Sequence, residues 1–129
     1  MPVYTSLITL LIVLYYFGTG IFVARTHSQT GIAAPKMSGD IRLERAIRVQ
    51  MNAVEFAPIL LPSLWLAAFW VSDIPAAVLG AVWLAARLMY AKAYMTDPST
   101  RTLGFSIQAL AVVLLVIMAL YGIFTKGFH

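Results

Sequence analysis

Apolar residues along this chain gather into four long segments that are separated by short polar stretches. A bilayer core about 30 Å thick is crossed by an α-helix of roughly 20 mostly apolar residues. Residues 3–24, 43–71, 74–95 and 102–124 form segments of that length. They show no strand-like alternation, and only helices or closed barrels satisfy the backbone in lipid. The pattern therefore predicts an all-α membrane protein, with a single domain over residues 1–129 built as a four-transmembrane-helix bundle.

The composition excludes several classes of soluble protein. The chain has 129 residues, of which 61% are apolar and 11% charged, and its mean hydropathy is +0.87. Soluble domains carry about 25% charged residues, so a soluble enzyme, a disordered tail and a nucleic-acid-binding domain are all poor interpretations. Because the chain has no cysteine and only two histidines, we expect no disulfide framework and no metal site.

Basic residues are distributed very unequally between the two ends of the bundle. One end carries Arg25, Lys36, Arg42, Arg45, Arg48, Lys92 and Arg101. The opposite end carries Lys126. Since cytoplasmic loops are enriched in Lys and Arg, the first and third loops are predicted to face the cytoplasm and both termini the other side. A bacterial inner membrane or the endoplasmic reticulum would suit this topology.

The second segment begins with a stripe of polar residues. Glu44, Arg48, Asn52 and Glu55 are spaced i, i+4, i+8 and i+11, so they lie along one face of a helix. Each charge left in lipid near the bilayer centre would cost about 2.5–3.5 kcal/mol, so the stripe must face protein or water. Ionisable residues in a membrane are by default a functional hypothesis. The alternative is that Arg48–Glu55 and Glu44–Arg45 ion pairs only neutralise one another.

The third segment carries a second polar face. Arg87, Tyr90 and Tyr94 follow the spacing i, i+3, i+7, and Arg101 comes seven residues later. The tyrosines alone could be interfacial anchors. Together with the first stripe, these groups predict a cytoplasmic-side pocket of guanidiniums, a carboxylate, an amide and phenols, which suits a small peptide-like zwitterion. Four helices are few to enclose such a ligand, so a homo-oligomer with sites between subunits is plausible.

The three tryptophans carry no pattern that places them at a site. Trp65, Trp70 and Trp83 lie within the second and third apolar segments. Tryptophan is enriched at membrane–water interfaces, so all three are expected to face lipid or the interface.

Two stretches resemble one family in particular. From Glu44 to Pro58 the chain follows the pattern ER-x-x-R-x-x-x-N-x-x-E with an aromatic residue and a proline after it. This stretch resembles the signature of the MAPEG family, the membrane-associated proteins of eicosanoid and glutathione metabolism. The stretch from Ala86 to Tyr94, followed by Arg101, is similar to the third helix and loop of that family.

The resemblance implies a homotrimer of four-helix subunits that binds glutathione between protomers. The residues at its glutathione-binding positions are Arg48, Asn52, Glu55, Tyr90 and Tyr94, with Gln50 matching a glutamine of part of the family. Arg25 would reach the same site from the adjoining subunit, and Arg101 would stand beside the thiol as the catalytic residue. Glu44, Arg45 and Arg87 would support the site.

The implied function is a glutathione transferase or peroxidase that acts on lipophilic electrophiles or lipid hydroperoxides, with membrane lipids and a lipophilic substrate as its other partners. Gln50 and Met51 stand where some members have histidine and arginine, which argues against a prostaglandin-E-synthase-like specialisation. A non-catalytic scaffold that binds glutathione or lipid is the main alternative. A small proton-coupled exporter is disfavoured, because such exporters resemble one another in carrying an essential acidic residue in their first helix. Residues 3–24 contain none.

Overall fold

The computed structural model describes residues 1–128 and consists of four long helices joined by short connections. Its elements are α1 (Val3–Thr30), α2 (Ile41–Trp70), α3 (Asp73–Thr96), a 3₁₀ turn (Pro98–Thr100), α4 (Thr102–Gly122) and a π-helical turn (Ile123–Gly127). Four helical stretches are long and apolar enough to cross a membrane. The predicted four-helix architecture is confirmed. The main difference is α1, which continues to Thr30 rather than ending at residue 24.

Local polar contacts explain where the helices begin and end. Helix α1 ends at Gly31, whose φ of 72° is a left-handed conformation that glycine adopts without strain. Asp40 precedes α2, and its side chain accepts a hydrogen bond from the Arg42 backbone N–H at 2.8 Å. The Asp97 side chain accepts a hydrogen bond from the Ser99 backbone N–H at 3.1 Å, and this contact organises the turn before α4. Such caps satisfy N–H groups that the first turn leaves free.

Trp83 lies in the centre of the bundle, so its predicted exposure to lipid or the interface is wrong. It is 0% exposed, and its ring packs edge-to-face on Phe56 with centroids 5.8 Å apart. Gly80 and Ala76 lie one and two turns earlier on α3, respectively, and are also buried. These small residues mark the face of α3 that points inward, and they leave room for one large side chain.

Glycine allows α4 to lie directly against α3 near the cytoplasmic-side pocket that the sequence predicts. A Cβ atom at Gly104 would stand 3.0 Å from the Tyr90 backbone nitrogen and 3.1 Å from the Ala86 carbonyl oxygen. Small residues allow membrane helices to approach this closely. The close contact places Arg101, just before α4, beside the end of α3.

Long-range hydrogen bonds fasten both ends of the bundle. At one end, the Asp73 carboxylate accepts the backbone N–H groups of Tyr4 at 2.9 Å and Thr5 at 2.7 Å, which caps the start of α1. At the other end, Arg45 Nη1 donates to the Met95 carbonyl at 3.1 Å, in the last turn of α3. Arg45 therefore fastens the start of α2 to the end of α3, and its support of the site stays a prediction.

Candidate functional site

A buried arginine joins all four helices. Arg87 is 0% exposed. Its Nε donates to the Tyr15 hydroxyl at 3.0 Å, and its Nη2 donates to the Val49 carbonyl at 2.7 Å. Its Nη1 donates to Asn52 Oδ1 and, at 3.3 Å, to Gln108 Oε1. We call these five residues the Arg87 cluster. Its acceptors are all neutral, although the guanidinium is always protonated.

A column of stacked groups runs from this cluster to the start of α4. The Arg87 guanidinium carbon lies 4.2 Å from the Tyr90 ring centroid. The Tyr90 and Tyr94 rings are stacked at 5.8 Å, and the Arg101 guanidinium carbon lies 5.7 Å from the Tyr94 ring. The i, i+3, i+7 spacing thus does place these α3 residues on one face. Tyr90 is 4% exposed, so it is not an interfacial anchor within this bundle.

A cavity of about 330 Å³ opens beside this column. We call it the polar cavity, and its lining residues are Arg48, Asn52, Tyr90, Tyr94, Arg101, Thr102 and Phe105. Its volume lies within the range of about 300–1,000 Å³ that is typical of small-molecule sites. Five of the residues expected from the sequence to bind glutathione or its thiol are brought together here.

An apolar groove of about 390 Å³ adjoins the polar cavity. It is lined by Asn52, Glu55, Phe56, Ile59, Phe105, Ala109, Val112 and Val113. Asn52 and Phe105 border both spaces. Glu55 is exposed at the edge of this groove rather than inside the polar cavity. A ligand in the cavity would therefore lie next to a surface that suits an apolar molecule.

The polar cavity is rich in hydrogen-bond donors. Within residues 1–128, the single ion pair joins Arg42 to Asp40 at 3.1 Å. The Arg48–Glu55 and Glu44–Arg45 pairs are not formed, so the interpretation that the stripe only neutralises itself is wrong. Arg101 Nη1 donates to the Pro98 carbonyl at 2.7 Å. Arginine donates hydrogen bonds and accepts none, and such a lining is suited to carboxylates.

Two residues expected at the site lie elsewhere in the chain. Gln50 is two positions from both Arg48 and Asn52 and so points nearly to the opposite side of α2. Its amide nitrogen would lie 3.8 Å from a Cβ at Gly20 of α1. Arg25 is exposed at the end of α1. Neither residue lines the polar cavity within one chain.

Glu44 is exposed at the start of α2. It lies outside the lining of the polar cavity.

Sequence reasoning missed Tyr15, Gln108 and Gly104. Gln108 is the one residue of α4 with a side-chain amide. A polar residue in an apolar span signals a buried polar contact or a functional site, so Gln108 could have been found from the sequence. It is buried and donates to the Gly104 carbonyl at 3.1 Å. Tyr15 gave no comparable signal, because its neighbour Tyr16 is equally polar and their orientations depend on packing.

The fold and site together define an integral multi-pass membrane protein with a charged cavity near one end of its bundle. The model of the MAPEG family matches residues 4–121, and the chain belongs to this family. The resemblance inferred from the two motifs is thereby confirmed.

Individual relatives narrow the class of activity. An uncharacterized Synechocystis protein is 38% identical over 118 residues, which cover 92% of this chain and 86% of that protein. Mouse microsomal glutathione S-transferase 2 is 31% identical over 104 residues, or 81% and 71% of the two chains. Mouse leukotriene C4 synthase is 34% identical over 108 residues, or 84% and 71%. The chain is thus similar to glutathione-related membrane enzymes.

Proposed function

We propose that this chain is a membrane glutathione transferase or peroxidase, which conjugates glutathione to lipophilic electrophiles or uses it to reduce lipid hydroperoxides. The observation that carries the proposal is the polar cavity, rich in arginine, directly beside the apolar groove. Glutathione is anionic and an electrophile dissolved in lipid is apolar. The shared border at Asn52 and Phe105 would bring the two reactants together.

Each residue has a role that its chemistry suits. Arg48 and Asn52 would donate to a carboxylate of glutathione, and Tyr90 and Tyr94 would hold its backbone with their hydroxyls. Glu55 would accept the ammonium group from the edge of the groove. These roles rest on the donor and acceptor character of the side chains. No role requires a metal ion.

A homotrimer would explain the two residues outside the cavity. Arg25 and Gln50 belong to a surface that a neighbouring copy could bring to the polar cavity. An apolar hollow of about 520 Å³ beside them on α1 is lined by Val13, Tyr16, Phe17, Gly20, Ile21 and Ala24. Such a face suits contact with another protomer or with lipid. We further propose that loops one and three face the cytoplasm, where the basic residues lie.

The reaction needs only the thiol of glutathione and its partner. In conjugation, the thiolate sulfur forms a bond to an electrophilic carbon. A halide leaves with the electron pair as the free anion, or an epoxide oxygen takes the electron pair and then a proton. In peroxide reduction, two glutathione molecules are oxidised to a disulfide while the hydroperoxide becomes an alcohol and water. Arg101 would stabilise the thiolate and the charge that develops on oxygen.

Thiol ionisation by Arg101 cannot supply most of the rate. Lowering a thiol pKa from about 8.5 to about 6 raises the thiolate fraction at neutral pH roughly thirtyfold. Nucleophilicity falls with a Brønsted slope of about 0.4–0.5, which removes roughly tenfold or more. The net gain is about two- to threefold. Holding both reactants together at the edge of the membrane should contribute more.

A conjugation assay tests the proposal. We expect purified protein to conjugate glutathione to a generic aryl halide and to an epoxide. Arg101→Ala should lower kcat about 10–100-fold with the epoxide, where charge develops on oxygen, and only about two- to threefold with the aryl halide, while glutathione still binds. Lys92→Ala is the matched control, because it removes an exposed cation at the same end without touching the cavity. Binding without turnover by the unaltered protein, across aryl halides, epoxides and hydroperoxides, would instead support a non-catalytic scaffold.

Mixed oligomers test the shared site. We expect Arg25→Ala and Arg48→Ala each to inactivate the protein when expressed alone. Co-expression should restore part of the activity, because some interfaces between protomers would then carry both an intact Arg25 and an intact Arg48. If co-expression restored nothing although mixed oligomers formed, a site between protomers would be contradicted.

A further inference from the structure

Arg87 lies outside the polar cavity but is bonded to a residue that lines it. The cavity lining includes Asn52 and Tyr90. Arg87 donates a hydrogen bond to the first and lies over the ring of the second. It is fully buried, so it does not meet a ligand directly. Any influence on binding must pass through these neighbours.

The contact fixes which way the Asn52 amide faces. A guanidinium has only donors, so the amide atom that faces Arg87 has to be the oxygen. Within residues 1–128 the Asn52 amide nitrogen has no hydrogen-bond partner, and it is partly accessible rather than buried. Its two N–H groups therefore remain available beside the polar cavity.

The arginine itself is held in a fixed orientation. Its Nη2 is bonded to the Val49 carbonyl, one turn before Asn52 on α2. Gln108 accepts from its Nη1 and is in turn bonded to the Gly104 carbonyl of α4. Because the guanidinium is planar and its donors diverge in a rigid fork, these contacts leave it little freedom to rotate. The amide of Asn52 is fixed as a result.

We infer that Arg87 is a positioning residue that turns the Asn52 amide nitrogen toward the polar cavity, so that this part of the cavity receives a carboxylate. The inference rests on the proposed function and deepens it by assigning to Arg87 the orientation of the Asn52 amide that this role requires. With Arg48 and Arg101 also in the lining, the cavity presents donors and positive charge. A carboxylate is favoured there and an ammonium group is repelled.

Asn52→Asp tests the orientation directly. The carboxylate has the shape of the amide and can accept from Arg87, so the bundle should keep its melting temperature or gain in stability. The atom toward the cavity becomes an oxygen, which cannot donate to a carboxylate. We expect the glutathione Kd from calorimetry to rise at least about tenfold. Ser38→Asp, which adds the same charge at an exposed position of the loop before α2, should leave the Kd within about twofold.

A double-mutant cycle tests whether Arg87 acts through Asn52. Arg87→Lys keeps the charge but loses the fork, so we expect the KM for glutathione to rise about five- to tenfold with kcat changed by less than about threefold. In an Asn52→Ala background the same change should alter KM less than about twofold. Should Arg87→Lys fail to fold, Asn52→Asp still decides the question because it retains the arginine.

The outcomes separate the two proposals. Wild-type affinity in Asn52→Asp would overturn the inference alone, as would an equal effect of Arg87→Lys in both backgrounds. Absence of saturable glutathione binding by the unaltered protein would overturn the proposed function and the inference with it.

Discussion

The two halves of this bundle are held together by different interactions. In the half that contains the polar cavity, the Arg87 cluster joins all four helices by directional hydrogen bonds. In the other half the core is apolar, and Trp83 belongs to a cluster of buried residues that includes Ile8, Ile12, Leu60, Leu64, Ala67, Ala76 and Leu115. Lipid tails are as apolar as these side chains, so shape and close approach hold that half together.

The difference agrees with the function proposed for the polar half. A charged side chain near the bilayer centre costs about 2.5–3.5 kcal/mol on insertion scales. Apolar packing like that around Trp83 would join the helices without this cost. Hydrogen bonds, however, fix the orientation of groups such as Asn52, which van der Waals contacts do not. Buried polarity therefore coincides with the part of the bundle where the proposed function requires a ligand to be oriented.

The largest expected effect lies in the apolar half. Trp83→Ala removes a fully buried side chain, and we expect a loss of about 3–5 kcal/mol in the free energy of unfolding. The protein that remains folded should bind glutathione normally. Unfolding in detergent and calorimetry measure the two quantities.

Trp83→Phe is the control for this change. The indole N–H has no partner among the described residues, and a phenyl ring keeps the contact with Phe56, so the cost should be below about 1.5 kcal/mol. A large loss of glutathione affinity in folded Trp83→Ala would contradict the division of roles between the halves.

Substitutions at Gly104 and Gly80 form a matched pair, and the first of them has the second-largest expected effect. Gly104→Ala would force a Cβ against the α3 backbone at Tyr90, so we expect about 1–3 kcal/mol of destabilisation. Conjugation should also fall, because Arg101 would move away from Tyr94. At Gly80 the nearest atoms are side-chain carbons of Ile8 and Leu64 at 3.2 Å.

Those side chains can shift, so Gly80→Ala should cost less and leave activity unchanged. Thermal unfolding and a conjugation assay on both variants check the comparison. Equal losses of activity at the two positions would show that the approach of α4 to α3 at Gly104 does not set the site geometry.

A smaller effect is expected from Asp73→Ala. The carboxylate caps α1 through the backbone N–H groups of Tyr4 and Thr5, so the melting temperature should fall by a few degrees. Glutathione affinity should not change, because these contacts lie at the end of the bundle away from the polar cavity. A change in affinity without a change in melting temperature would oppose this expectation.

The smallest expected effect concerns pH. Hydrogen bonds from the side chain and then the backbone N–H of Ser99 hold the pKa of Asp97 below its usual value of 3.8. A group with a lowered folded pKa stabilises the protein above its unfolded pKa and loses that contribution as pH falls through the folded value. We therefore expect a slight loss of melting temperature below about pH 4. Asp97→Asn should remove this part of the pH dependence.

Most of the fold followed from the sequence because lipid allows few alternatives. Segment length and the short polar stretches between the segments predicted four helices, and helical spacing placed Arg87, Tyr90 and Tyr94 on one face. Trp83 was misplaced because an average preference of tryptophan for the interface gives no information about which face of α3 points inward. That face is set by packing against the other helices.

The candidate site was only partly predictable for the same reason. Helical spacing brings Arg48 and Asn52 to one face of α2, but it does not show that Asn52 is bonded to Arg87 rather than exposed alone. The contributions of Tyr15 and Gln108 depend on how α1 and α4 are rotated about their axes. Those rotations result from contacts such as Gly104 against α3, between residues far apart in sequence.

Titration of the purified protein with glutathione tests the central claim most directly. We expect saturable binding at millimolar concentration or below, weakened at least about tenfold by Arg48→Ala and by esterification of the glutathione carboxylates. Lys92→Ala should bind as the unaltered protein does. Equal binding of glutathione and its diester, or no saturable binding by the unaltered protein, would contradict a cavity built to receive the carboxylates of the tripeptide.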